Sequence, residues 1–217
     1  MNNILFTGAH GLLGNYMLPL LEELVDGKII TPTHQEYDLS HPILPVYKDL
    51  AFIIHAGAYT SVIGAETEAA ICFETNVGGT LRLRHAYKDT PFIYISTEYA
   101  AHPELNIYSW TKELGEEIVM RIATAPYLII RTLFKPVPFP FEKAYGDQWT
   151  QGDEITTIAP LLVGKITQWY KNDFPNEFCY IGTGRKRIID IARKSNHAIE
   201  ENSIHDIEGV TLQSDYE

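Results

Sequence analysis

Tyr108 and Lys112 stand four residues apart in Tyr-Ser-Trp-Thr-Lys. On a helix that spacing puts a phenol and an ammonium on one face, one turn apart. An ammonium held there lowers the phenol's pKa from its ordinary value of about 10. The phenol then becomes a usable proton donor or acceptor for a carbonyl/alcohol pair. A hydroxyl from the preceding segment, Ser96 or Thr97, can hold the substrate oxygen beside it. The same pair also arises by chance in many helices as a half-buried surface pair, so its context decides. That context begins with Gly8, Gly11 and Gly14, spaced G-x-x-G-x-x-G between the apolar run Ile4 to Phe6 and an amphipathic stretch. Glycines there let the backbone turn sharply and approach a pyrophosphate, whose charge the N-terminus of the following helix favours. Glycines also serve plain turns. The position between strand and helix is what points to a phosphate cradle.

A fold has to carry these groups to one place. Leu12, Leu13, Tyr16, Met17, Leu20, Leu21, Leu24 and Val25 recur at helical spacing over 12–25, with Pro19 inside and Gly27 as the stop. A short strand is predicted over 28–31. Thr33, His34 and Gln35 then stand at its end, with Glu36 just beyond. An acidic side chain at that place accepts from the 2′-hydroxyl of NAD, whereas a basic or neutral polar set tolerates the 2′-phosphate of NADP. The set here leans to NADP(H) through His34, which serves equally as a surface histidine in a turn. Residues 51–56 form a continuous apolar run with one histidine, the pattern of a strand buried on both faces. The small Gly57 and Ala58 after it leave room for a nucleotide across the sheet edge. A long helix is predicted over 64–88. Asn76, Gly78 and Gly79 are poor helix formers at its middle, which suggests a close backbone approach or a polar contact. Strands over 91–96 and 127–131 flank a helix over 108–123. Four or five strands alternating with helices predict an α/β, Rossmann-type, doubly wound parallel sheet. Past Arg131, prolines and aromatics mark a loop-rich crossing over 132–152. A helix over 158–170, a strand over 178–181, a helix over 188–194 and a poorly patterned acidic tail follow. This second part is too small to fold alone.

The chain has 217 residues, 17 basic against 28 acidic, and a net charge of −11. That balance argues against a nucleic-acid surface, which needs a basic patch. No apolar run is long enough to span a bilayer, and no leader pattern opens the chain. The two cysteines, Cys72 and Cys179, lie far apart, which fits a reducing, cytoplasmic setting. The eight histidines show no metal-binding pair. Arg185, Lys186 and Arg187 after Gly184 could meet an anionic ligand such as a diphosphate or simply open a solvated helix. Trp149 and Tyr145 could stack on a base or sugar or cover a core edge.

Thr7-Gly-Ala-His-Gly-Leu-Leu-Gly14, Asp38-Leu39, His55-Ala-Gly-Ala-Tyr-Thr60, Asn76, Ser96-Thr-Glu-Tyr99 and Tyr108-Ser-Trp-Thr-Lys112 occur in order over 1–134. Together they resemble an extended short-chain dehydrogenase/reductase of the dTDP-4-dehydrorhamnose reductase-like, sugar-nucleotide-binding branch. The resemblance implies an NAD(P)-binding Rossmann domain over 1–134 and a small α/β lobe on the substrate side over 135–217, not independent of it. It implies hydride transfer between NAD(P)H and a nucleotide-linked 4-keto sugar. Gly8, Gly11 and Gly14 would shape the pyrophosphate turn, Leu12 and Leu13 would supply amides, and Asp38 and Leu39 would flank the adenine. Ala56, Gly57 and Ala58 would line the dinucleotide, with Asn76 and Ser96 in the same site. Tyr108 would be the acid, Lys112 would hold the nicotinamide ribose and tune Tyr108, and Thr97 would bind the substrate oxygen. Thr60, Glu98, Tyr99, Trp149 and Arg185 are the substrate-side candidates. A homodimer through the helices of 64–88 and 108–123 is also implied.

The chain departs from that branch on the substrate side. The loop between Tyr99 and Tyr108 is short, Glu98 replaces an aspartate, and 61–66 lacks an expected Asp and Lys. Two further readings therefore stand beside the reductase: a binding or regulatory protein that keeps the dinucleotide site with little turnover, and a nucleotide-sugar epimerase using bound NAD.

Overall fold

A computed structural model describes residues 3–25 and 27–215. Five strands lead the fold: β1 (Asn3–Thr7), β2 (Ile29–Ile30), β3 (Leu50–His55), β4 (Phe92–Thr97) and β5 (Tyr127–Thr132). Short strands follow as β6 (Phe134–Lys135), β7 (Lys143–Tyr145), β8 (Trp149–Thr150) and β9 (Asp153–Glu154), then β10 (Glu177–Ile181), β11 (Lys186–Arg187) and β12 (Glu200–Asn202). The central sheet has six strands in the order β10-β5-β4-β3-β1-β2, every pairing parallel. The sixth strand was not among those foreseen for the sheet. It comes from the C-terminal part and pairs with β5 from Glu177↔Leu128 to Ile181↔Thr132.

Strand periodicity sends alternate residues to opposite faces. Ile4, Phe6 and Ile54 pack with Met17 and Leu21 of α1 (Leu12–Glu22) and with Ile158, Leu162 and Trp169 of α6 (Ile155–Lys171). Leu5, Ile53, Tyr94 and Ile129 pack with Leu83 of α4 (Thr80–Ala86) and Val119 of α5 (Ile107–Arg121). Both faces are covered, which is why the central strands read as unbroken apolar runs. The strand order reverses at β1, between β2 and β3. In open parallel sheets the ligand crevice lies beyond the carboxyl ends at such a reversal.

The long helix expected over 64–88 is instead four pieces: α2 (Val62–Thr67), α3 (Ala69–Phe73), a π-helical turn Glu74–Gly79, and α4. The Ser61 side chain caps α2 by accepting from Gly64 N, and Glu68 breaks the path at φ −115°, ψ 37°. The poor helix formers explain the π-turn. Asn76 turns inward to polar partners, and a methyl on Gly79 would lie 2.8 Å from the Leu39 carbonyl oxygen. The helix expected over 12–25 ends at Glu22 with Pro19 inside it. The unpatterned tail is held by polar bonds rather than by an apolar stripe. Asn106, Gln148 and the Trp149 amide donate to the carbonyls of Thr211, Gln213 and Ser214.

His55, buried at the end of β3, ties the sheet to the π-turn. Thr80 spends its proton on the Asn76 carbonyl at 2.6 Å and so accepts from His55 Nε2 at 3.0 Å. His55 Nδ1 then accepts from the Thr7 hydroxyl at 2.7 Å. Burial, and then the charge of Lys112, pull the histidine down to about 3. Between about pH 6.5 and 3 the unfolded chain binds this proton and the folded chain does not, so folding stability falls as the pH falls through that window. The slope from this group is about 1.4 kcal/mol per pH unit. Chemical denaturation at pH 6.5 and pH 4.5 checks it. A His55→Gln variant should lose this part of the acid sensitivity, and an unchanged slope would contradict the assignment.

Candidate active site

The carboxyl ends of β1, β3, β4 and β5 open onto a cleft of about 740 Å³. Its floor at β1 is the glycine turn. Gly8 has φ +78°, and a methyl on it would lie 2.5 Å from Gly57 N at the end of β3. The two strand ends therefore approach backbone to backbone, which only glycine allows. Gly14 sits against the carbonyls of Gly8 and Ala9, so α1 starts tight on the turn. The helix begins at Gly11 with no side-chain cap. Its first amides have no partner within the helix, and Leu12 and Leu13 line the cleft. A turn of this shape ending in uncapped amides fits the pyrophosphate of a dinucleotide.

Thr97 and Tyr108 stand at the other end. Thr97 is the register neighbour of Thr132 across β4 and β5. Asn106 caps α5 by accepting from Ser109 N at 2.8 Å, which fixes the first turn and Tyr108 on it. Burial pushes the Tyr108 phenol up to about 12, and a hydrogen bond with the Thr97 side chain works against that rise. The sequence predicts a phenol lowered by Lys112. The structure reverses that, because the Lys112 charge is directed elsewhere. Lys112 Nζ donates to the Ile95 carbonyl at 2.9 Å and lies 4.1 Å from the centre of the Tyr94 ring. Burial lowers Lys112 itself to about 8. At neutral pH Tyr108 is thus a protonated phenol, poised to give a proton rather than to take one.

Comparison with known proteins agrees with this fold. The sequence model described as the RmlD substrate binding domain matches residues 1–135. The chain belongs to that family. A dTDP-4-dehydrorhamnose reductase from Aggregatibacter actinomycetemcomitans is 28% identical over 158 residues, covering 61% of this chain. The chain spans about half of that relative's length, 51%. Among solved structures, the dTDP-4-dehydrorhamnose reductase of Bacillus anthracis, in complex with NADP, superposes with a TM-score of 0.76 at 18% identity. That match covers 100% of this chain and 89% of the other. The dTDP-4-dehydrorhamnose reductase from Clostridium acetobutylicum gives 0.81 at 19% identity, covering 99% and 89%. At these identities the superpositions establish a shared fold.

The RmlD-family cleft gathers most of the residues singled out in the sequence. Gly8, Gly11, Leu12, Leu13, His34, Asp38, Leu39, Ala56, Gly57 and Ala58 line it from the β2 end to β3. Thr60, Ser96, Thr97, Tyr99, Tyr108 and Lys112 line the remainder. Asp38 accepts from the Ser40 amide and hydroxyl at 2.9 and 2.7 Å, which hold its carboxyl below the usual range. Thr33 and His34 face the cleft, while Glu36 accepts from the Thr33 amide and hydroxyl at 2.9 Å each.

Others lie outside the lining. Gly14 is packed beneath the turn. Asn76 is buried and acts on backbone: it accepts from Tyr59 N at 2.8 Å and donates to Tyr59 O at 3.1 Å and to the Thr111 hydroxyl at 3.0 Å. It thereby ties the end of β3 to the helix that carries Tyr108 and Lys112. Ser96 does line the cleft, but it donates its hydroxyl to Glu116 at 2.5 Å, which leaves Thr97 as the hydroxyl beside Tyr108. Glu98 is buried behind the cleft and accepts from the Thr150 hydroxyl at 2.5 Å and the Gln151 amide at 3.2 Å. Trp149 and Arg185 stack on each other at 4.0 Å, and Arg185 pairs with Asp215 at 2.5 Å, away from the cleft. Sequence reasoning missed Tyr59, Leu133, Phe134 and above all Lys135, which line the cleft. The missed signal is positional: 133–135 directly follow a strand's carboxyl end, where ligands of such sheets sit. Among the described residues no cluster of His, Cys, Asp or Glu is placed to hold a metal. No helix among them is long and apolar enough to cross a membrane.

Proposed function

We propose that the protein is an NAD(P)(H)-dependent oxidoreductase that reduces the keto group of a nucleotide-linked sugar, in the manner of a dTDP-4-dehydrorhamnose reductase, with preference for NADP(H). The observation that carries this is one cleft with a pyrophosphate-shaped turn at Gly8 and a protonated Tyr108 beside Thr97. A bound reduced nicotinamide supplies the hydride. Thr97 holds the carbonyl oxygen, and Tyr108 gives that oxygen its proton as the carbonyl carbon becomes an alcohol carbon. Lys112, which lines the same cleft, is the group assigned to the ribose hydroxyls. Preference for NADP(H) is supported by Thr33 and His34 facing the cleft while Glu36 is tied to Thr33.

Incubating the protein with NADPH or NADH and a panel of keto nucleotide sugars, while following loss of the reduced cofactor, tests the proposal. NADPH consumption with at least one sugar is expected. Binding of NADPH without turnover of any sugar favours the binding or regulatory reading, which the Lys112 ammonium resting on Ile95 O also fits. Tighter binding of NADH than NADPH contradicts the stated preference.

The same reading makes the protein a cytoplasmic homodimer without a nucleic-acid partner, the chain's net charge of −11 agreeing with the last point. Exposed Leu81 and Trp110 on α4 and α5 support an interface on the helices over 64–88 and 108–123. Light scattering should give twice the chain mass; a monomer rejects the dimer. Residues 135–217 are proposed as the substrate side.

A further inference from the structure

Among the residues lining the cleft, Lys112 and Lys135 alone are Lys or Arg, and Asp38 is the one carboxylate. Asp38 lies at the β2 end, and Lys112 is committed to the Ile95 carbonyl. Across the sheet the cleft runs from the glycine turn at β1 and β3, past Thr97 and Tyr108, to β5. Lys135 lies three residues beyond Thr132, so it stands at the far side of the reacting hydroxyls from the dinucleotide cradle. It is half-buried, and among the described residues it makes no hydrogen bond and no close ion pair. Its counter-charge is Glu98, whose carboxylate already accepts from Thr150 and Gln151. Glu154, its register partner on β9, makes no ion pair with it either. Burial lowers the Lys135 ammonium to about 8, with Glu98 acting against that fall. A desolvated cation of this kind gains from an anion that enters the cleft.

We propose that Lys135 binds the diphosphate of the nucleotide-linked substrate, the role for which the sequence had offered Arg185, Lys186 and Arg187; Lys186 pairs instead with Asp153 and Arg187 with Asp190. Arg185 cannot serve from its place on Trp149 and Asp215, outside the cleft. The assignment rests on the reading of the cleft as a nucleotide-sugar site. Lys135 acts as a specificity-determining residue: it holds the anionic arm while Thr97 and Tyr108 meet the keto group. A charge-assisted bond from an ammonium to phosphate is roughly twice as strong as a neutral one.

The test is titration calorimetry of the NADPH-loaded protein with dTDP and with UDP, on wild type and on Lys135→Gln, Lys135→Arg and Arg185→Gln. Both nucleotides should bind the wild type. Lys135→Gln should weaken them about 10- to 100-fold. Lys135→Arg should stay within about threefold, since a cation is kept, and Arg185→Gln should match wild type. NADPH affinity, measured separately, should be the same in all four. Equal diphosphate affinity in Lys135→Gln and wild type overturns the assignment, as does failure of the wild type to bind either nucleotide. Parallel loss of NADPH affinity in Lys135→Gln also overturns it, because Lys135 would then serve the cofactor or the fold. Lys135-dependent binding without reduction of any keto sugar would leave this assignment standing and remove the reductase reading. Turnover with no effect of Lys135→Gln on affinity would do the reverse.

Discussion

Tyr108→Phe is expected to lower kcat for a nucleotide-linked keto sugar by about 10²–10⁴-fold, with NADPH affinity almost unchanged. The ring is kept, so its edge-to-face packing on Tyr99 at 6.2 Å survives and the helix that carries it stays in place. What is lost is one hydroxyl and its proton, in a phenol whose upward shift the Thr97 side chain opposes. A phenol pushed up to about 12 by burial is fully protonated at neutral pH, which suits a proton donor in a reduction. The loss should therefore appear in kcat rather than in substrate KM, as for an interaction made in the transition state. Stopped-flow and steady-state assays of both proteins check this. Equal kcat values would remove Tyr108 from the chemistry.

The second large effect is expected at the cradle. Gly8→Ala should abolish measurable dinucleotide binding and lower the folding stability by roughly 2–5 kcal/mol. Two costs combine. Alanine at φ +78° is strained, and its methyl would meet Gly57 N at 2.5 Å, the Ala56 carbonyl carbon at 2.7 Å and Gly57 Cα at 2.8 Å. All three are backbone atoms at the end of β3, so relief requires β1 and β3 to part where the ligand crevice lies. Gly184→Ala is the matched control. It also has positive φ, +96°, but nothing lies within 4 Å of the added methyl. It should cost only the conformational part, about 1–2 kcal/mol, and keep NADPH binding. Urea denaturation and NADPH titration of both variants separate the two costs. Undiminished NADPH affinity in Gly8→Ala would show that the turn does not shape the cradle.

Much of this site is legible in the sequence because its parts are local. The glycine spacing, the strand ends at Thr7, His55 and Thr97, and the i, i+4 pair on α5 each depend on residues close in the chain. The parallel sheet packs them together with little freedom. Asn76 is legible as an anomaly, a poor helix former beside two glycines at the middle of a predicted helix. The structure resolves that anomaly into bonds to Tyr59 and Thr111.

What the sequence hides depends on long-range placement. No local pattern shows that Arg185 turns to Asp215, that Ser96 donates to Glu116, or that Lys112 ends on Ile95 O. The expected downward shift of Tyr108 fails for this reason: spacing on a helix fixes which face two groups share, but burial and third partners fix their charge. Lys135 is hidden twice over, by the proline-rich run around it and by its distance in sequence from Thr97. The strand over 178–181 is legible, but its place as the sixth strand of the sheet is not, because that depends on the C-terminal segment lying beside β5.

The central claim is that this cleft transfers a hydride from a nicotinamide to a sugar carbonyl. The most direct measurement uses NADPH carrying deuterium at the transferable position, a keto nucleotide sugar that the protein binds, and mass spectrometry of the sugar product. One deuterium should appear on the carbon that was the carbonyl, and it should appear about 10²–10⁴-fold more slowly in Tyr108→Phe than in the wild type. Recovery of unreduced, unlabelled sugar from wild-type protein saturated with both ligands would contradict the account.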